Sequence, residues 1–196
     1  MRIKPLFRVV VALVAVAFVA SCAQLKRVGF RSYQNSFTRS LKAHTRSKTL
    51  YRDFTTIAIA KATHFDKRLM RSYIEYTQGI DVSKTTDKRY IDTLKQCDRY
   101  EVFWLAFYTD DDDINNLASK DSFWNVYLES DGRVIEPASI REVGINDFRK
   151  QWLYLIKFNR WAREYVILFK KDSALRTPLR LVITSYLGEI DMQFRK

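Results

Sequence analysis

Hard oxygen donors crowd one stretch of the chain. Asp110, Asp111, Asp112 and Asp113 run together, and Asn115, Asn116 and Asp121 follow closely. Carboxylate and amide oxygens on a loop are the ligands Ca²⁺ prefers. Aligned with a helix–loop–helix calcium loop starting at Asp111, Asp113 and Asn115 fall in register. Asn116 then stands where the sharp turn needs glycine, and Ser122 where the closing bidentate glutamate belongs. The motif fails, so the expectation is a solvated acidic loop without a metal; the alternative is a noncanonical Ca²⁺ site. Such a loop still offers an electrostatic contact, internal or to a partner.

Other chemistry-bearing residues are sparse. His44 and His64 lie far apart in sequence with no cysteine nearby, so a zinc site lacks its ligands. Each is expected to be a packing or surface residue. Glu129 and Asp131 flank a turn, where carboxylates are ordinarily solvated. The chain has no Gly-x-Ser-x-Gly elbow, no glycine-rich phosphate loop and only five glycines. The expectation is a noncatalytic protein with no cofactor. The aromatic run Trp152-Leu153-Tyr154-Leu155-Ile156 suits a core. As a contact surface it would present Trp152, Tyr154 and Ile156.

The N-terminal residues specify an address. Met1–Arg8 carries Arg2, Lys4 and Arg8 and no acid, and Val9–Ala20 is an unbroken apolar run of 12 residues. That run is short of the roughly 20 residues a bilayer-spanning helix needs. Cys22 follows Ala20 and Ser21. A basic head, an apolar run and small residues before a boundary make a secretory signal. The stretch Val19-Ala20-Ser21-Cys22 resembles the lipobox of bacterial lipoproteins. Val19 stands where leucine is commonest in that family, and Ser21 where glycine or alanine is. The resemblance covers only residues 1–22. It implies removal of residues 1–21, a diacylglycerol on the Cys22 thiol and acylation of the new amine. Ala23, rather than aspartate, follows the cysteine. By the same resemblance this implies the outer membrane, with the protein facing the periplasm.

Charge separates along the chain. Of 34 Lys and Arg, three precede Cys22 and eight lie in 23–52, which holds no acid. From Asp53 onward 23 basic residues face 22 acidic ones. The formal charge of +12 is therefore a property of the N-terminal segment, not of the globular part. A basic segment beside a lipid anchor is drawn to anionic head groups by about 1 kcal/mol per cation. It serves equally as a solvated tether. Nucleic acid is not an expected partner of a secreted, lipidated protein. Cys97 is left without a pairing partner and reads as a buried small hydrophobe.

The elements that would position these residues follow from periodicity. Residues 22–48 read as a lipidated basic tether, possibly helical, with Phe30, Tyr33, Phe37, Leu41 and His44 at helical spacing. Residues 49–196 read as one domain. Leu50–Phe65 alternates Ala58, Ala60 and Ala62 with Ile57, Ile59 and Lys61, which predicts one strand with its alanines under a covering helix. Asp66 can cap a helix ending at Gly79, and Ser83 a second ending near Asp98, so helices occupy about 66–98. Tyr100–Tyr108 is apolar on both faces, as a strand covered on both sides must be. Further strands are expected at 123–129, 134–140, 164–170, 179–186 and 190–194, with Ser130-Asp131-Gly132-Arg133 as a hairpin and Pro137 at an edge. A short helix is expected at 147–152.

The predicted fold is α+β: an antiparallel immunoglobulin-like β-sandwich, with two helices inserted between the first strands and a basic N-terminal tether. This layout resembles bacterial envelope lipoproteins with a helical N-terminal part and a β-rich C-terminal part. The expected function is a membrane-anchored protein that contacts another envelope protein. The alternative is a carrier of an apolar or lipid ligand between sheet and helices. A cavity beneath the helices would favour the carrier, and a filled core the contact protein.

Overall fold

A computed structural model describes residues 31–144, 161–172 and 175–195, with side chains from Phe37 onward. The expected helix at 147–152 and the contact candidates Trp152, Tyr154 and Ile156 lie outside these residues. So do Phe30 and Cys22, and the side chain of Tyr33. The chain divides after Arg39 into two units, Met1–Arg39 and Ser40–Lys196. The second holds all the strands among the described residues. No helix among the described residues is long and apolar enough to cross a membrane.

The protein is α+β, with two antiparallel sheets packed face to face and helices over one of them. Helix α1 (Arg31–Ala43) runs from the first unit into the second. Strands β1 (Thr45–Arg52) and β2 (Thr55–Phe65) form a hairpin. Helices α2 (Lys67–Gln78) and α3 (Lys88–Arg99) lead to β3 (Tyr100–Thr109). Then come β4 (Asn125–Ser130), β5 (Arg133–Ile135), β6 (Ser139–Glu142), β7 (Arg163–Lys170), β8 (Leu179–Ser185) and β9 (Gly188–Phe194). The first sheet has the order β1-β2-β3-β7-β6, and the second β5-β4-β8-β9.

Between the sheets lies one apolar core. Phe103, Leu105 and Phe107 of β3 meet Tyr165, Ile167 and Phe169 of β7, and Leu179, Leu181 and Ile183 of β8 close from the second sheet. On the other face of the first sheet, α2 buries Leu69, Met70, Tyr73 and Ile74. Tyr73, Phe65 and Trp104 interlock there, with ring centroids 4.4–5.4 Å apart. Each such ring contributes roughly 1.5–3 kcal/mol by leaving water. Asp66 caps α2 by accepting from Leu69 N at 2.6 Å, and Gly79 ends it at φ 64°. Both ends match the sequence expectation. At the β4–β5 turn Asp131 and Gly132 take positive φ, as the hairpin signal required.

The structure departs from expectation at five places, each with a local cause. The stretch 50–65 is two strands, because the chain reverses at Asp53-Phe54 with Asp53 at φ 54°. Aspartate tolerates this conformation, so the turn carries no glycine to announce it. The hairpin also moves the first strand to Thr45, and the expected boundary at residue 49 falls inside β1. The helices consequently lie between β2 and β3. Ala58, Ala60 and Ala62 face the second sheet rather than a helix: their small side chains leave room for the larger ones arriving from that side. Asp87, not Ser83, caps α3, accepting from Arg89 N at 2.9 Å, while Ser83 sits in a 3₁₀ turn capped by Asp81. Finally, 134–140 is not one strand: β5 belongs to the second sheet and β6 to the first. Pro137 stands in the crossover between them, where a residue lacking N–H interrupts no ladder.

Side chains join the edges β1 and β9. Arg46 Nε donates to Gln193 O at 3.0 Å, and Lys48 Nζ pairs with the Asp191 carboxylate. Thr45 Oγ1 and Thr63 Oγ1 share a hydrogen bond of 2.7 Å. A chain beginning at residue 49 loses all three, together with the ladder bonds of Thr45–Lys48. It should unfold in urea with roughly 2–5 kcal/mol less stability than a chain beginning at Ser40, at about 1 kcal/mol per net hydrogen bond. Gly188→Ala should also destabilise, by about 1–3 kcal/mol. Gly188 has φ 141°, and an added Cβ would sit 2.8 Å from Leu50 Cδ1. A melting temperature equal to that of the parent would contradict this assignment.

Candidate functional site

The strand registers place the interesting groups at two opposite ends of the sandwich. Thr45 pairs with Thr63, so the chain enters at the end that also holds His64 and Phe65. Ala58 pairs with Thr109, so the β1–β2 turn and the acidic loop share the other end.

At that turn end the acidic loop is internally organised. Asp110 N donates to Ile57 O at 3.1 Å, tying the loop to β2. Asp111 caps a 3₁₀ turn, Asp112–Ile114, by accepting from Asp113 N. Asp112 pairs with Arg163 at the start of β7 at 2.7 Å. The hydrogen bond that Arg163 donates to that carboxylate raises the Arg163 pKa. Asn115 Nδ2 donates to Phe107 O at 2.9 Å, and Asn115 O and Oδ1 accept from the Tyr165 hydroxyl at 2.9 and 3.0 Å. Burial of Tyr165 raises its pKa, keeping it a donor. Asn116 Oδ1 accepts from Phe123 N at 3.1 Å. Asn115 therefore pins the loop to β3 and β7, and Asn116 braces its later part at Phe123. Among the described residues, no group of three or more His, Cys, Asp or Glu is placed to hold a metal.

The same end carries exposed aromatics. Of the five large hydrophobics that stand exposed among the described residues, four are here: Tyr51, Phe54, Trp161 and Tyr186. Phe54 is fully exposed at the tip of the β1–β2 turn, and Tyr186 is 83% exposed in the β8–β9 turn. Leu50 against Gly188 brings those turns side by side. The Tyr186 ring rests 4.8 Å from Phe123, itself 5.5 Å from the buried Trp124. The fifth, Val134, belongs to the β4–β5 hairpin at the entry end. Sequence reasoning passed over this cluster. The sequence pattern places Tyr51 and Phe54 in one strand, and their exposure follows only from the hairpin.

The entry end holds a pair that sequence reasoning also missed. His64 Nε2 and Glu101 Oε2 are 2.8 Å apart, and both side chains are buried. His64 stacks on Phe103 at 4.8 Å and meets Phe194 edge-on. The available signal was an acid opening an otherwise apolar strand, two residues from Phe103, the register partner of His64. The pair is closed from solvent. His44 lies 3.8 Å from Asp66 and bonds Ser40 O, so the two histidines do not converge on one centre. Cys97 is buried on the apolar side of α3, with Sγ 3.7 Å from Thr93 O. Burial pushes its thiol up to about 12, against the pull of nearby Lys171.

No family model, no curated protein and no solved structure matches this chain.

Two outcomes follow from this geometry. Cys97 should resist alkylation at pH 8 in the folded protein and react fully in denaturant, because the thiolate is the nucleophile. Rapid modification of the native protein would place the thiol in solvent. Asn115→Ala strips its side-chain donor from the buried Phe107 O, while the Tyr165 hydroxyl keeps the backbone Asn115 O as acceptor. It should cost about 1–3 kcal/mol in chemical denaturation, the penalty of one orphaned group.

Proposed function

We propose that the protein is a noncatalytic, lipid-anchored envelope lipoprotein. It is held through Cys22 to the outer membrane, faces the periplasm and presents its sandwich to another envelope protein. The observation that carries this reading is the run Val9–Ala20 followed by Ser21 and Cys22, preceded by a basic head. Two acyl-bearing positions on one residue give far firmer anchoring than a single chain. The antiparallel five- and four-stranded sheets are consistent with an immunoglobulin-like sandwich, whose loops and edges suit protein contact. Trp152, Tyr154 and Ile156 remain proposed contact residues. Packing weighs against the alternative of an apolar-ligand carrier. Tyr73 of α2 meets Phe65 and Trp104 in direct ring contact where such a ligand would lie, and Leu69, Met70 and Ile74 of the same helix are buried.

The test is chemical. Cells fed an alkyne-bearing fatty acid should label the parent protein, and Cys22→Ala should abolish both labelling and processing. Mass spectrometry of the mature protein showing an unmodified Cys22 would overturn the anchor. Outer-membrane placement is read separately, by fractionating the envelope on a density gradient.

A further inference from the structure

We propose that the end of the sandwich where the chain enters docks on anionic phospholipid head groups. This rests on the reading of Cys22 as an acylated anchor, and it adds a second membrane contact made by the folded domain itself. From Asp53 onward basic and acidic residues nearly balance in sum, but the fold sorts them by end. Strand β2 has 11 residues, so the two ends stand about 35 Å apart. Charge is screened within about 8 Å at physiological ionic strength, so each end acts by itself.

Strand pairing places 42–46, 64–68, 98–101, 129–139, 169–180 and 193–195 at the entry end. These segments hold 11 Lys and Arg against 7 Asp and Glu. Helix α2 leads away from this end, because its seventh residue, Tyr73, meets Trp104, the fifth of β3. Its connection to α3 therefore lies elsewhere. The connections that begin and end at the turn end, 52–54, 110–123, 143–163 and 185–188, hold seven charges of each sign. Three acids of the entry end are already engaged. Asp98 pairs with Lys67 at 2.8 Å, Glu129 pairs with Arg180 at 2.7 Å, and Glu101 is buried against His64. Arg68, Arg99, Lys170 and Lys171 stand exposed. Lys170 is the register partner of Tyr100, and Lys171 N donates to Arg99 O at 2.9 Å, so three of these cations share one rim. Chain connectivity selects the occupant. Ser40 stands 18 residues after Cys22, and even an extended tether keeps this end within about 60 Å of the acylated residue. The bilayer is thus present at high effective concentration, and each Lys or Arg at its surface adds to the attraction for anionic head groups. Seated this way, the domain turns Phe54 and Tyr186 away from the bilayer.

The test reconstitutes the full acylated chain in vesicles of phosphatidylcholine, with or without phosphatidylglycerol. A donor dye is placed on A138C at the entry end or Y186C at the turn end, and an acceptor dye on the lipid head groups. Both positions are exposed, and Cys97 is buried. Adding phosphatidylglycerol should raise energy transfer from position 138 and lower it from 186, and high salt should reverse both changes. The triple variant R68Q, R99Q, K170Q should lower the ratio of docked to undocked domain about tenfold or more. K120Q, at the turn end, should leave it unchanged. Melting temperatures equal to the parent's would confirm that each variant folds. Transfer indifferent to phosphatidylglycerol, or to the triple variant, would overturn the proposal. Transfer that rises from 186 instead would assign the turn end to the membrane. Saturable binding of octa-glutamate by a protein that phosphatidylglycerol does not orient would assign the entry end to an acidic polypeptide. Either result also overturns the proposal. Capture of the parent by vesicles of phosphatidylcholine alone reads the anchor, so the docking surface can fail while the anchor stands.

Discussion

Strand β3 loses water on both faces, and the rest of the fold is arranged to make that possible. Phe103, Leu105 and Phe107 point into the sandwich, while Val102, Trp104 and Ala106 point the other way, and all six are buried. One face requires a second sheet and the other requires a helical layer. The two helices therefore stand immediately before β3 in the chain, and Phe65 and Tyr73 reach Trp104 from β2 and α2. The backbone polar groups of β3 are satisfied by neighbours on both sides, β2 and β7. Central placement and double burial are a single requirement, since an edge position would leave a ladder of N–H and C=O groups without partners.

The buried pair His64–Glu101 sits at the limit of this apolar interior. Removing one partner from such a pair leaves the other in a medium that solvates it poorly. The pair is placed where β2 ends and β3 begins, close to the chain entry, where Thr45 and Thr63 also exchange a hydrogen bond. Polar contacts with strict geometry at this end set the register of the sheet, since a one-residue slip would turn His64 away from Glu101. Apolar contacts alone tolerate such slips more readily than a hydrogen-bonded pair does.

Much of the architecture was legible where side-chain period and turn chemistry agreed. The double-faced apolar run of β3, the Asp66 cap, the Gly79 terminus and the Asp131-Gly132 hairpin were each readable from a few residues. The failures share one cause: the deciding interaction was distant in sequence. β1 is an edge strand of mostly polar residues, so it shows no clean alternation, and its turn uses aspartate where glycine would have been conspicuous. The break at Pro137 depends on which sheet each flanking segment joins. Ala58, Ala60 and Ala62 showed the right period, but which layer they faced depended on residues more than a hundred positions away. The exposed aromatic end was illegible for the same reason, because Phe54 and Tyr186 become neighbours only after two separate hairpins are folded. In the acidic loop, the use of Asn115 as a pin for Phe107 and Tyr165 needed coordinates.

The edge position of β1 has a mechanical consequence. Its hydrogen bonds to β2 run across the strand direction. Tension between the chain entry at Thr45 and the opposite end of the sandwich would run along the strands. It would load the β1–β2 ladder in shear, with its bonds bearing force together. A pull across the sheet would instead open them one after another, like a zipper. With Arg46 and Lys48 also fastened to β9, the first strand resists lengthwise traction from both sheets. That is the direction in which a tethered domain is strained when its far end is held.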